Sequence, residues 1–246
     1  MASIIESQYV TGVFKKELKN RFLCTVSVEG EDVTCYIPSS CRLSNFLDLR
    51  GRTVLLKPNA SPSTRTAYAV FAVKYRRGYI LLNMGYANTV VENQLHRRYF
   101  SFLGKRKNVS HEVTIDDYKA DLYIKDTQTI IEIKSILSFE KKAIFPSVYS
   151  ERAVEQLRKL SVLLDKGYNV CYLFTSLNPQ VKEIEANKSM EDFFEAFQEC
   201  IRKGMMVRAF SIRLERDKPE LYSNIRFCNE SNFEQSIDHD HENETY

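Results

Sequence analysis

Between residues 8 and 80 the apolar side chains come in short runs separated by turn residues. Residues 22–28 alternate and end near Gly30, 33–37 are stopped by Pro38, and 53–56 end before Pro58. Residues 8–14 and 68–73 have the same β-rich character. Five short strands in so little chain predict a small barrel of the OB type. The polar stretch 59–65 reads as a loop.

From residue 86 the period lengthens. Val90, Val91, Leu95 and Phe102 fall near helical spacing and predict a helix over 86–103, stopped by Gly104. Strands are predicted over 109–116, 119–125 and 129–137. A helix follows over 148–166, with Ser147 or Ser150 as its cap and Gly167 just beyond. Residues 168–174 read as a strongly apolar strand, 189–203 as a second helix ending at Gly204, and 205–214 as a last strand. This order, α-β-β-β-α-β-α-β after an all-β start, predicts an α/β (α+β) chain. Its parts would be a barrel over 1–82 and a mixed-sheet domain over 83–228. Residues 229–246 are polar and acidic and read as a disordered tail.

Composition narrows the class. With 246 residues, 43% hydrophobic and 12% aromatic, the chain can build one large core or two small ones. A charged share of 27% excludes wholesale disorder. No run approaches the roughly eighteen apolar residues of a spanning helix, so no membrane partner is expected. The start, Met1-Ala2-Ser3-Ile4-Ile5-Glu6, lacks a basic segment leading into an apolar one and reads as cytoplasmic. Triplets such as Asn108-Val109-Ser110 are then chance matches to a glycosylation site. Cysteines at 24, 35, 41, 171, 200 and 228 form no CxxC pair and match no zinc module, so reduced thiols are expected.

Charge is unevenly spread. The whole chain is +3, but nine acids against three bases leave residues 215–246 at −6. Residues 1–214, with 32 bases and 23 acids, carry +9, the sign expected of a polyanion binder.

The chemistry concentrates in residues 119–135. A tight turn at Asp126-Thr127 would pair 125 with 128, 123 with 130 and 121 with 132. Opposed side chains share a face, so Asp121 meets Glu132, and Lys134 follows two residues on. Ala120, Leu122, Ile124, Ile131 and Ile133 fall on the other, core face. Two carboxylates and an ammonium among apolar strands are costly unless paired or bound to metal. Such a pair suits Mg²⁺ or Mn²⁺, and with Lys134 it suits phosphodiester hydrolysis at a PD-(D/E)XK nuclease site. A solvent-facing salt-bridged hairpin would carry the same residues without that chemistry.

The ordered motifs resemble those of the sugar fermentation stimulation protein A (SfsA) family over about residues 10–215. Glu112-Val113 and then Asp121 match its carboxylate strand. Glu132-Ile133-Lys134-Ser135 matches its E-V-K-S strand. Phe145-Pro146, Ser150-Glu151-Arg152 and Leu157 match its F-P-x-x-x-T-E-R segment and the helix after it. The resemblance implies an OB-like N-terminal part that binds nucleic acid and a PD-(D/E)XK nuclease-like C-terminal part. It adds Glu112, Glu151, Arg152 and Gln156 to the catalytic candidates. It also marks departures: Pro38-Ser39-Ser40-Cys41 for P-N-T-G, Tyr118-Lys119 for Ser-Arg, Gln156 for histidine, and Met84 within a stretch that keeps Asn83 and Asn88.

Residues 97–107 hold five bases, three aromatics and no acid. Arg97, Arg98, Lys105, Arg106 and Lys107 are candidates for phosphate contact, as is Lys119, and Arg76-Arg77 would add to the field. Their aromatics serve either as core or as stacking platforms. His239-Asp240-His241 has the look of a metal-binding snippet but lies in the tail. Two functions follow: a Mg²⁺- or Mn²⁺-dependent nuclease acting on DNA or RNA, or a nucleic-acid-binding regulatory protein that keeps the fold without turnover. The sequence calls for no small-molecule cofactor.

Overall fold

The computed structural model describes residues 9–39, 41–59 and 65–228. The acidic tail with His239-Asp240-His241, most of the loop 59–65, and Ser40 lie outside the described residues.

The first part is a barrel. Its strands are β1 (Val10–Glu17), β2 (Leu23–Val28), β3 (Glu31–Tyr36), β4 (Thr53–Pro58) and β5 (Tyr68–Tyr75). The order β3-β2-β1-β4-β5 is closed by parallel pairing of β3 with β5, so the sheet has no edge there. Gly12 is required on β1: a Cβ would come within 2.5 Å of Val26 Cγ1 on β2. A further strand, β6 (Gly78–Leu81), extends the sheet beyond β5.

The second part is a six-stranded mixed sheet. It contains β7 (Val109–Ile115), β8 (Tyr118–Ile124), β9 (Thr129–Ile136), β11 (Asn169–Ser176), β13 (Met206–Glu215) and β14 (Lys218–Asn224) in the order β14-β13-β11-β9-β8-β7. β11 is parallel to β9 and to β13, and the outer pairs are antiparallel. Such parallel neighbours need crossovers. These carry α2 (Glu151–Asp165) and α3 (Glu191–Arg202). Short parallel strands β10 (Lys142–Phe145), β12 (Glu183–Ala186) and β15 (Arg226–Cys228) form a side sheet. Ser150 caps α2, its hydroxyl accepting the Ala153 N–H at 3.3 Å.

The sheet separates two cores. On one face Leu157, Leu160, Phe193 and Phe197 of α2 and α3 pack with Ile130, Tyr172 and Phe174. On the other, Leu122, Ile124, Ile131, Ile133 and Leu173 merge with the barrel interior and with α1 (Tyr86–Gln94). Barrel and sheet thus share one continuous core. Arg52 stacks over Phe139 at 4.1 Å, and the Tyr75 hydroxyl donates to the Phe139 carbonyl at 2.7 Å across the same junction. No helix among the described residues is long and apolar enough to cross a membrane. The six cysteines form no disulfide among the described residues.

Three sequence expectations change. The helix over 86–103 is two pieces, because Arg97 adopts an extended conformation between α1 and a 3₁₀ segment, Arg98–Leu103. No glycine or proline marks that break. The strand over 205–214 is followed by β14 and β15, which carry no clear alternation. Arg216 and Asp217 both take positive φ in the β13–β14 turn, the conformation that closes a tight hairpin. Finally, Ala120 does not share a face with Leu122 and Ile124: it packs on the helix side, they on the barrel side. The face switches at Asp121, opposite Glu112, whose φ of 45° interrupts the β7–β8 ladder.

Candidate active site

The site grows from the end of a ladder. β8 and β9 pair as Ile124↔Thr129, Tyr123↔Ile130 and Leu122↔Ile131, the register the sequence predicts, and the pairing stops there. The next residues are Asp121 and Glu132. Asp121 completes the interrupted ladder with its side chain: its Oδ2 accepts the Ile133 N–H at 2.7 Å, and its Oδ1 accepts from Asn88 Nδ2 on α1 at 3.2 Å. The start of α1 is tied to β9 by Ser135 Oγ, which donates to the Met84 carbonyl at 2.9 Å.

Glu132 is only 3% exposed, so every oxygen needs a partner. Oε1 accepts from Lys134 Nζ at 2.6 Å, and Oε2 accepts from the Tyr118 hydroxyl. Lys134 Nζ also donates to Gln156 Oε1 on α2 at 2.8 Å and lies 5.8 Å from the Tyr172 ring centroid. The ammonium is therefore held at two of its three donors. The buried Tyr172 hydroxyl has no hydrogen-bond partner among the described residues.

Burial first, and the Glu132 charge second, push the Asp121 carboxyl up to about 6, against the lowering effects of the Ile133 N–H, Lys134 and Asn88. The Tyr118 phenol is raised far above its ordinary range, mainly by burial and then by Glu132. It is therefore a fixed donor at neutral pH.

Asp121, Glu132, Lys134, Arg152 and Gln156 line one cavity of about 710 Å³, which Cys41 and Phe46 reach from the barrel. Among the described residues no cluster of three or more His, Cys, Asp or Glu converges as a metal cage. A bound cation would draw on the two carboxylates, with water or substrate oxygens completing the shell. The donor set fits a hard cation: each carboxylate oxygen has one protein partner and retains a lone pair.

The other candidates fall elsewhere. Glu112 is exposed and pairs with Lys119 at 2.7 Å, outside the cavity. Glu151 lies in the first turn of α2, exposed and off the cavity wall. Residues 104–107 pack on the tip of the β8–β9 hairpin. Lys105 pairs there with Asp126 at 3.3 Å, and the Lys107 N–H donates to the same carboxylate at 2.8 Å. Arg106 donates to the Leu95 and Gly104 carbonyls, while Arg97 and Arg98 are exposed. Five residues of strand, roughly 17 Å, separate that tip from Asp121. Phe100 and Leu103 are core, and Tyr99 lies edge-on to Phe210.

Tyr118 and Asn88 are the site residues that local reading missed as contacts. Asn88 reaches Asp121 from α1, and Tyr118, on the same strand as Asp121, reaches across to Glu132 on β9.

The profile described as the sugar fermentation stimulation protein RE domain matches residues 85–218, and the SfsA N-terminal OB domain matches 18–82. The chain belongs to the SfsA family. A sugar fermentation stimulation protein homolog from Desulfitobacterium hafniense is 27% identical over 207 residues, covering 82% of this chain and 88% of that one. A homolog of the same description from Carboxydothermus hydrogenoformans is 26% identical over 211 residues, covering 84% and 91%. SfsA of Pyrococcus furiosus, solved in complex with Ca²⁺, superposes with a TM-score of 0.77 at 18% identity, over 91% of this chain and 97% of that one. The SfsA architecture therefore extends over nearly the whole chain.

Proposed function

We propose that this SfsA-family protein is a divalent-metal-dependent nuclease that hydrolyses phosphodiester bonds of DNA or RNA. The observation that carries the reading is the convergence of Asp121, Glu132 and Lys134 on one accessible cavity. Asp121 and Glu132 would hold Mg²⁺ or Mn²⁺, the cofactor expected here. The P. furiosus structure in complex with Ca²⁺ supports an oxygen-ligand site in this fold. The cation supplies a more acidic bound water and a positive charge for the phosphate.

The chain's own residues do the remainder. Lys134, oriented by Glu132 and Gln156, stabilises charge growing on the phosphate or orients the attacking water. Tyr118 fixes the Glu132 carboxylate, and Asn88 with the Ile133 N–H fixes Asp121. Arg152, exposed in the first turn of α2 on the cavity wall, is the phosphate contact. The barrel adds binding surface, where Arg21 stacks over Phe22 and Phe22 faces the exposed Tyr36. Arg97, Arg98, Lys105, Arg106, Lys107 and Lys119 contribute to the general positive field.

A second reading, a binding protein of regulatory role without turnover, has one observation in its favour. All four carboxylate oxygens already have protein partners, so the site is self-satisfied without a cation. Incubating the purified protein with plasmid and single-stranded DNA or RNA, in Mg²⁺, Mn²⁺ or EDTA, decides between them. Metal-dependent cleavage lost in Glu132→Gln supports the nuclease. Binding without cleavage supports the second reading.

A further inference from the structure

The cavity has a second pole. Ile144 (53% exposed), Val148 (41%) and Tyr149 (54%) all line it, with Phe46 contributed from the barrel side. Exposed apolar side chains gathered at one cavity are not required by folding and mark a place where a ligand displaces water. The same wall carries Arg152, which has no ion-pair partner among the described residues. The cavity thus combines charged groups with an exposed apolar and aromatic set.

A nucleotide has the same division, an anionic phosphate joined to a flat apolar base. We propose that this cavity receives an unpaired nucleotide of a single-stranded nucleic acid. Its phosphate faces Arg152 and the carboxylate end, and its base stacks on Tyr149. The assignment rests on the phosphodiester reading of the Asp121–Glu132–Lys134 end. A volume of about 710 Å³ is ample for a ligand of nucleotide size. A duplex keeps its base faces inside its own stack, so it can offer one to Tyr149 only by flipping a nucleotide out. Stacking on a tyrosine ring is tolerant of base identity, so the selection is for an unpaired strand rather than for a sequence.

The test is equilibrium binding in EDTA, where hydrolysis is absent. The probes are a short fluorescent single-stranded oligodeoxyribonucleotide, its oligoribonucleotide counterpart and the corresponding DNA duplex. The single strands should bind about tenfold or more tightly than the duplex. Tyr149→Ala should weaken single-strand binding by about tenfold or more with little effect on the duplex, and Tyr149→Phe should retain it. Tyr149 is exposed, so neither change threatens the fold. The tighter of the two single strands identifies DNA or RNA as the source of the nucleotide. Equal affinity for duplex and single strand, an unchanged Tyr149→Ala variant, or a Tyr149→Phe variant as weak as the alanine would overturn the proposal. Cleavage is read separately in Mn²⁺. The binding pattern without cleavage would remove the nuclease reading and leave the nucleotide site standing.

Discussion

Replacing Asp121 by asparagine separates the electrostatics of the site from its chemistry. Asp121 titrates at about 6 in the folded chain against an ordinary 3.8, raised by burial and by Glu132. The folded state therefore holds this proton more tightly than the unfolded chain. Stability contributed by the group rises as pH falls from about 6 toward 4, and at pH 7 its ionised form is a cost. At about 1.4 kcal/mol per pKa unit, two units correspond to roughly 3 kcal/mol. Asparagine removes the charge and keeps an oxygen for the Ile133 N–H, while the Asn88 amide must turn to present its own oxygen. The weaker neutral hydrogen bond returns about 1 kcal/mol, and partial solvent contact lowers the gain further. We expect Asp121→Asn to stabilise the metal-free protein by about 1–2 kcal/mol at pH 7 and by close to nothing near pH 4. Urea unfolding in EDTA at both pH values measures this as a shift in midpoint at constant slope. No stabilisation at pH 7, or the same stabilisation at both, would refute the assignment of a strained carboxylate.

Other outcomes follow from the same geometry. Saturating Mg²⁺ or Mn²⁺ should stabilise the wild type by about 2.7 kcal/mol at a hundredfold excess over Kd, and so raise its melting temperature, and leave Asp121→Asn/Glu132→Gln unmoved in calorimetry. Lys134→Ala should lower cleavage by roughly 10²–10³-fold while oligonucleotide affinity, read by anisotropy, stays near wild type. Tyr118→Phe strips a donor from the buried Glu132 and should destabilise the protein by about 1–3 kcal/mol in urea. Arg97→Ala/Arg98→Ala should reduce the salt dependence of binding but not single-turnover cleavage at saturating substrate, because neither arginine lines the cavity that holds the carboxylates.

What could be read from the sequence was what local rules govern. Ser150 as a cap, Gly167 and Gly204 as stops, and the hairpin register around Asp126 all depend on residues within one turn or one pair of strands. Periodicity separated the barrel from the mixed sheet because a period of two gives way to one near 3.6. It failed where backbone conformation changed without a marker. The extended Arg97, the left-handed Glu112 and the left-handed Arg216 and Asp217 of the β13–β14 turn have no glycine or proline to announce them. Of the site, Asp121, Glu132 and Lys134 were legible because one hairpin carries all three. Asn88, Phe46 and Tyr149 were not, since Asn88 reaches Asp121 from α1 and the other two reach the cavity from two further segments.

The departures from the family pattern take on meaning once their contacts are known. Tyr118 and Gln156 stand where the family's pattern has a serine and a histidine. In the folded chain they hold Glu132 and Lys134: Tyr118 satisfies Oε2 of Glu132, and Gln156 accepts from Lys134. Both are neutral at physiological pH, and a glutamine cannot titrate as a histidine can. The ammonium of Lys134 therefore faces a fixed dipole on α2 and one buried carboxylate. Nothing on α2 that touches it changes charge between pH 5 and 8. Asp121, at about 6, is left as the group whose ionisation in that range alters the charge of the site. A pH profile for metal binding should then follow one ionisation near 6 in the wild type. In Gln156→His a second ionisation should enter, lowering affinity as the new imidazole takes up its proton. A single, unchanged ionisation in that variant would show that position 156 does not sense the site, and the role given to Gln156 would fall with it.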